Sequence, residues 1–172
     1  MNTRILDLGC GRGKPEGALG LDLSPHPGVD VVADLERPLP FAANSFDQAR
    51  LRHAIEHVSD LEALLGEVHR VLRPGGQARI LTPHFSAAAS WTDPSHRLHL
   101  GYHSLDYFCG LARDDFRPLS FRFTLLERRI IFGRKGRLGL AAWANRHPGL
   151  YEQHLAWVLP ALEVQFHLAA LK

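Results

Sequence analysis

Residues 6–14, Leu6-Asp7-Leu8-Gly9-Cys10-Gly11-Arg12-Gly13-Lys14, decide the fold that we predict for this chain. The apolar run before the first glycine is typical of a short buried strand. Three alternating glycines follow it directly, and they let the backbone turn tightly and approach a ligand closely. The stretch therefore predicts a ligand-binding bend at the end of a first strand.

Two other kinds of glycine loop fit this stretch poorly. A P-loop needs glycine where Leu8 stands and a serine or threonine after Lys14, where the chain has Pro15. A dinucleotide fingerprint needs its third glycine at the position of Lys14. A tight strand-exit turn that binds no ligand remains an alternative.

Hydrophobic periodicity along the rest of the chain predicts alternating strands and helices. An amphipathic helix begins after Ser59 or Asp60 and ends before Pro74-Gly75-Gly76, and a second, short helix follows later. The predicted strands cover residues 4–8, 18–23, 29–33, 46–51, 77–82, 120–132 and 162–168, and the predicted helices cover 61–72, 104–111 and, with a break, 138–159. We therefore predict an α/β fold: a Rossmann-like, doubly wound, mostly parallel sheet with an antiparallel C-terminal strand pair, in a single domain over residues 1–172.

Composition narrows the function classes. The chain has 172 residues, a formal net charge of +2 and two cysteines. This charge is too small to indicate a nucleic-acid partner, and two cysteines do not make a disulfide framework. The sequence shows no signal peptide and no apolar run of the roughly 18–20 residues that a membrane span needs. We expect a cytoplasmic protein, and the sequence leaves its oligomeric state open.

Several segments resemble, in order, the motifs of class I S-adenosylmethionine-dependent methyltransferases. Leu6-Asp7-Leu8-Gly9-Cys10-Gly11 resembles the family's first motif, and matching segments follow over about residues 3–82. They are Leu21-Asp22-Leu23-Ser24, Ala33-Asp34-Leu35, Asn44-Ser45-Phe46-Asp47, His53-Ala54-Ile55-Glu56-His57-Val58 and residues 67–76. Residues 82–86 and 93–96 also resemble methyltransferases of bacterial glycan biosynthesis.

The resemblance implies S-adenosylmethionine as cofactor and assigns residues to it. The acid after the second strand, Asp22, would accept the two ribose hydroxyls, and Asp34 would take the adenine amino group. Carboxylates suit these contacts because they only accept hydrogen bonds. The complete predicted cofactor set is Asp7, Gly9, Gly11, Asp22, Leu23, Asp34, Leu35 and His53, with Asp7 holding either the glycine loop or the cofactor's ammonium.

One feature departs from the family. Only residues 10–18 separate the first two strands, and Gly13, Pro15 and Gly17 oppose a helix there. We therefore expect the cofactor to lie against loop backbone at this point.

Candidate catalytic residues come from the segment after the fifth strand. A general base is needed only if the acceptor loses a proton, and histidine suits that role near neutral pH. His84, His96 and Tyr102 are the candidates. Asp93, His96, His99 and His103 also raise a metal hypothesis, but Pro94 and Gly101 argue against the continuous helix that would align them, so we predict no metal.

The sequence thus predicts a methyltransferase that acts on a small-molecule or glycan-related acceptor. Its shortened first connection leaves open a methyltransferase-like binding or assembly protein without activity. A nicotinamide-dependent oxidoreductase is the third alternative.

Overall fold

In a computed structural model, which describes residues 3–112, 118–133 and 138–172, seven strands form one sheet. The strands are β1 (Ile5–Leu8), β2 (Ala18–Asp22), β3 (Val31–Val32), β4 (Phe46–Arg52), β5 (Leu72–Pro83), β6 (Arg122–Ile131) and β7 (Glu163–Leu171). Their order across the sheet is β3-β2-β1-β4-β5-β7-β6. Strands β1 to β5 pair in parallel, and β7 pairs antiparallel with both β5 and β6. The predicted fold class is confirmed.

Among the described residues, the only α-helix between two parallel strands is α1 (Leu61–Val71), which follows a 3₁₀ turn at Ile55–His57 in the connection from β4 to β5. Asp60 caps it by accepting a hydrogen bond from the backbone amide of Ala63 at 2.9 Å. Leu64, Leu65 and Val68 recur at helical spacing and are buried against the sheet. The connection from β1 to β2 contains no helix, as the glycines and the proline predicted.

The C-terminal half differs in detail from the predicted elements. Strand β6 has a register shift between Leu125 and Glu127, inside the predicted strand over 120–132. The predicted helix over 104–111 is reduced to a 3₁₀ turn at Tyr107–Cys109. Two short helices, α2 (Ala88–Thr92) and α3 (Leu138–Arg146), lie before β6 and between β6 and β7, and a helical segment over 148–155 ends in π-helical geometry.

A large apolar cluster lies between the sheet and α1, and a smaller one surrounds Tyr151. The larger cluster fixes the carboxyl ends of β1 and β4, because Leu8 and Leu51 are almost fully buried in it. No helix in the described ranges combines the length and the hydropathy that crossing a membrane requires.

Candidate active site

The site lies at β1, where the chain, after adding β2 and β3 on one side of this strand, continues with β4 and β5 on the other side. Strand β1 pairs with β2 on one side and with β4 on the other, so the crevice beyond their carboxyl ends is the expected ligand position in a parallel sheet. Two cavities of about 650 Å³ and about 240 Å³ lie there and share Gly9 and His53 as lining residues.

Six of the eight predicted cofactor residues line the larger cavity: Gly9, Asp22, Leu23, Asp34, Leu35 and His53. The other two, Asp7 and Gly11, line the smaller cavity together with Cys10 and Gly13. Residues from four separate stretches of the chain therefore converge on one crevice.

The glycine bend is held by strand β2. The backbone amides of Gly9 and Cys10 both donate to the carbonyl of Leu21, at 2.9 and 3.1 Å. Gly9 has φ +67°, and a Cβ atom there would lie 2.7 Å from the Cβ of Ala54. Only glycine meets both requirements, so the bend can lie directly against the segment that follows β4.

Asp22 and Asp34 hold their carboxylates at the cavity in different ways. The Oδ2 atom of Asp22 accepts from the amide of Gly11 at 2.8 Å, and its Oδ1 atom accepts from the amide of Ser24 at 3.1 Å. Asp34 bonds only within its own turn, where its Oδ1 atom accepts from the amide of Glu36 at 2.9 Å. Because a carboxylate has about four acceptor positions, both residues keep acceptor capacity for a ligand.

The two titratable residues nearest the bend have shifted pKa values. Burial raises the pKa of the Asp7 carboxyl, against the opposing effect of Arg50 and Lys14. For His53, interaction with the Glu56 carboxylate raises the pKa of the imidazole, and burial opposes this shift. His53 also lies within ion-pair distance of Glu163, with its Nε2 atom 3.0 Å from the Oε1 atom. It thus carries positive charge at the junction of the two cavities over a wider pH range than a free histidine.

Sequence reasoning missed the wall of the larger cavity that Pro94, Ser95 and Arg97 form. The carbonyl of Glu56 accepts from the amides of Arg97 and Leu98, at 2.7 and 3.1 Å, and this docks the segment beside the site. The available signal is the Asp93-Pro94-Ser95 turn, which resembles the family but carries no predicted ligand contact.

The predicted catalytic residues do not line either cavity. His84 is fully buried: its Nε2 atom lies 3.1 Å from the Oε1 atom of Glu152, and its Nδ1 atom accepts from the amide of Ser86 at 3.2 Å. Both ring nitrogens therefore have protein partners. Tyr102 stacks its ring against the Arg128 guanidinium, 4.1 Å from the ring centroid.

His96 lies close to the larger cavity instead. Its ring centroid is 4.7 Å from that of His57, which lines the cavity. The structure does not bring together the other histidines of this segment: His99 stacks on Trp91, and His103 pairs with Asp106.

A further cavity of about 710 Å³ lies along α1, lined by residues such as Glu62, Gly66 and Phe121. It contains none of the predicted site residues and lies away from the carboxyl ends of the strands. We therefore assign no role to it.

Comparisons with known proteins agree with this geometry. Residues 6–80 match the family model of the methyltransferase domain. A ubiquinone/menaquinone biosynthesis C-methyltransferase of Stenotrophomonas maltophilia is 41% identical over 73 residues, which are 42% of this chain and only 28% of that protein. The curated relatives that the chain matches are thus much longer than the matching segment.

Solved structures match over nearly the whole chain at low identity. An S-adenosylmethionine-dependent methyltransferase from Mesorhizobium loti has a TM-score of 0.62 at 22% identity, covering 98% of this chain and 91% of that one. The [4+2]-cyclase SpnF has a TM-score of 0.64 at 18% identity, covering 99% and 76%. Residues 6–80 are therefore similar to a methyltransferase domain, and the chain as a whole shares its fold with solved S-adenosylmethionine-dependent methyltransferases.

Proposed function

We propose that this protein binds S-adenosylmethionine in the two connected cavities and transfers its methyl group to a small-molecule or glycan-related acceptor. The convergence of Asp22 and Asp34 on one cavity beside the Gly9 bend carries the proposal. The larger cavity suits the adenosine, and the smaller one suits the amino-acid end. Asp7 lines the smaller cavity, and in this proposal its carboxylate accepts from the ammonium group of the cofactor.

Methyl transfer requires little proton chemistry from the protein. The bound cofactor supplies an electrophilic methyl group, and the chain's own residues orient the reactants and exclude water. Asp22 both fixes the glycine loop and offers acceptors to a ribose. Assignment of His84 as a general base remains a prediction from sequence, and the occupied ring nitrogens favour a structural role for it. His96 and Tyr102 are likewise predictions from sequence.

In the same proposal, the protein acts in the cytoplasm and has no nucleic-acid partner. Both cysteines are free, which suits a reducing compartment. A methyltransferase-like binding or assembly protein without activity is the second candidate, because the connection from β1 to β2 is short and contains no helix.

Calorimetric titration with S-adenosylhomocysteine and S-adenosylmethionine tests the proposal. Hydrogen bonds to a charged group contribute about 1.5–3 kcal/mol, so we expect Asp22→Ala to weaken binding roughly 10- to 150-fold. The matched control is Glu16→Ala, which removes an exposed acid from the same β1–β2 connection, outside both cavities. No saturable heat with either ligand would refute the proposal. Binding without turnover over a panel of acceptors would support the inactive alternative.

A further inference from the structure

Beside the cofactor cavity, Glu56, His57 and His96 form a cluster, of which only His96 is a catalytic candidate in the proposed methyl transfer. Each of the three offers one potential ligand atom, and these atoms lie within 4.8 Å of one another. Two histidines and one carboxylate are a common donor set for divalent transition metals, as in catalytic zinc sites and non-haem iron sites. We infer that these three residues bind a divalent first-row transition metal.

The Glu56 carboxylate is the strongest single observation. The residue is 1% exposed, and its Oε2 atom accepts from the Thr82 hydroxyl at 3.0 Å. Its Oε1 atom is buried and has no hydrogen-bond partner within the described residues. His53 lies within ion-pair distance of this oxygen, with its Nδ1 atom 3.4 Å from Oε1, but it makes no hydrogen bond to it. A buried carboxylate oxygen without a hydrogen bond is costly, and a metal ion bound directly to it would compensate it more fully than the ion pair with His53.

Hydrogen bonds around the two histidines leave the same ring atom of each available. The Nδ1 atom of His96 lies 3.2 Å from the carbonyl of Ser90, and because a carbonyl only accepts, Nδ1 carries the proton. The Ser95 hydroxyl donates to Asp93 at 2.6 Å, so at 3.0 Å it accepts from the Nδ1 atom of His57. In the neutral ring, each Nε2 atom then carries a free lone pair. Histidines that bind metals have this arrangement, in which the second nitrogen donates to a fixed acceptor.

The separation of the three donors fits a site that tightens on binding. Metal–ligand bonds of about 2.1 Å in a tetrahedral site place neighbouring ligand atoms about 3.4 Å apart. The three donor atoms here lie within 4.8 Å of one another, and the χ2 torsion of a histidine ring is soft enough to let them move closer. Water and Asp93, whose Oδ2 atom lies 3.8 Å from the Nε2 atom of His96, are available for the remaining positions.

The metal would be reached through the cofactor cavity, because His57 and Ser95 line it. This placement gives the site a role that rests on the proposed function: a hydroxyl acceptor that binds the metal loses its proton more easily. The metal would thereby help to deprotonate the acceptor, a role for which His84 is poorly placed because both of its ring nitrogens have protein partners. Nitrogen ligands also favour zinc, cobalt or iron over magnesium and calcium, which prefer oxygen ligands.

Titration of the chelator-treated full chain with Co²⁺, followed by calorimetry and visible absorption, tests the inference. We expect one saturable binding event per chain, weakened at least about tenfold in His57→Gln and in His96→Gln. The control His154→Gln removes an exposed histidine far along the chain and should bind Co²⁺ like the parent. Ser95→Ala removes only the hydroxyl that orients His57, and we expect a loss of about 10- to 100-fold.

Far-UV circular dichroism checks that each variant is folded. We expect Ser95→Ala to fold like the parent because Ser95 is exposed. The inference is overturned if no saturable event occurs, or if the His57, His96 and Ser95 variants all bind Co²⁺ like the His154 variant. Titration with S-adenosylhomocysteine in the presence of chelator separates the two proposals. Cofactor binding without Co²⁺ binding overturns only the metal site, and the reverse result overturns only the cofactor assignment.

Discussion

Replacement of Gly9 by alanine should destabilise the protein by two separable effects. Gly9 has φ +67°, and the new Cβ atom would lie 2.7 Å from the Cβ of Ala54. The left-handed backbone costs a non-glycine residue about 1–2 kcal/mol, and overpacking against a fixed neighbour costs about 1–3 kcal/mol. We therefore expect Gly9→Ala to lower the free energy of unfolding by about 2–5 kcal/mol, measured by urea denaturation.

Two glycines in the same connection provide matched controls. Gly17 has φ +75° but open space around its missing side chain, so Gly17→Ala should show the backbone cost alone, about 1–2 kcal/mol. Gly13 has neither feature, and Gly13→Ala should change the free energy of unfolding by less than about 0.5 kcal/mol. The double variant Gly9→Ala/Ala54→Gly should recover the overpacking part, as in a double-mutant cycle.

Equal destabilisation by Gly9→Ala and Gly17→Ala would refute the close approach of the bend to Ala54. An undiminished loss in the double variant would point to the same conclusion. Since Gly9 and Ala54 both line the larger cavity, the described shape of this cavity would then be wrong.

Two further predictions concern titratable groups at the site. Burial, with the Asp22 and Asp7 carboxylates, raises the pKa of Cys10, and burial with Asp106 raises that of Cys109 to about 11. Alkylation of both thiols near pH 8 should therefore be slow and should accelerate with rising pH. S-adenosylhomocysteine should slow alkylation further only at Cys10, which peptide mass spectrometry can measure. Equal protection of Cys109 would contradict the proposed binding position. Asp7 has a folded-state pKa above its unfolded value, so its charge opposes folding above about pH 4, and this effect disappears as the pH falls below the unfolded value. Asp7→Asn should thus be more stable than the parent near neutral pH, have a smaller advantage near pH 3, and bind the cofactor more weakly; a less stable variant at neutral pH would contradict this.

Local sequence signals predicted the part of the fold that local physics determines. The glycines after β1, the Asp60 cap and the periodicity of α1 each act over a few residues, and each was found where expected. Strand β5 was predicted from Gln77, but it starts at Leu72, because Phe46 pairs with Leu72 across an irregularity before regular pairing begins at Gln48. Such pairing depends on a distant strand and leaves no local signal.

The residues of the candidate site also divide into those that sequence can predict and those that depend on long-range contacts. The predicted cofactor residues follow strand ends, and topology alone brings strand ends together, so their convergence could be predicted. The position of His84 could not, because its partner Glu152 lies 68 residues away in a segment predicted only as a broken helix. The cluster of Glu56, His57 and His96 depends equally on a long-range contact, the docking of Arg97 on the carbonyl of Glu56.

The missing first helix bears on which ligand the bend can hold. In dinucleotide-binding folds a helix N-terminus after the first strand presents free amides to a pyrophosphate. Here no helix follows β1, and the amide of Gly11 already donates to the Asp22 carboxylate. A phosphate at this position would meet that carboxylate without a helix dipole to offset the repulsion. The bend is therefore better suited to a ligand with hydroxyls and a cationic group than to a nicotinamide dinucleotide, and this favours S-adenosylmethionine over the oxidoreductase alternative on physical grounds.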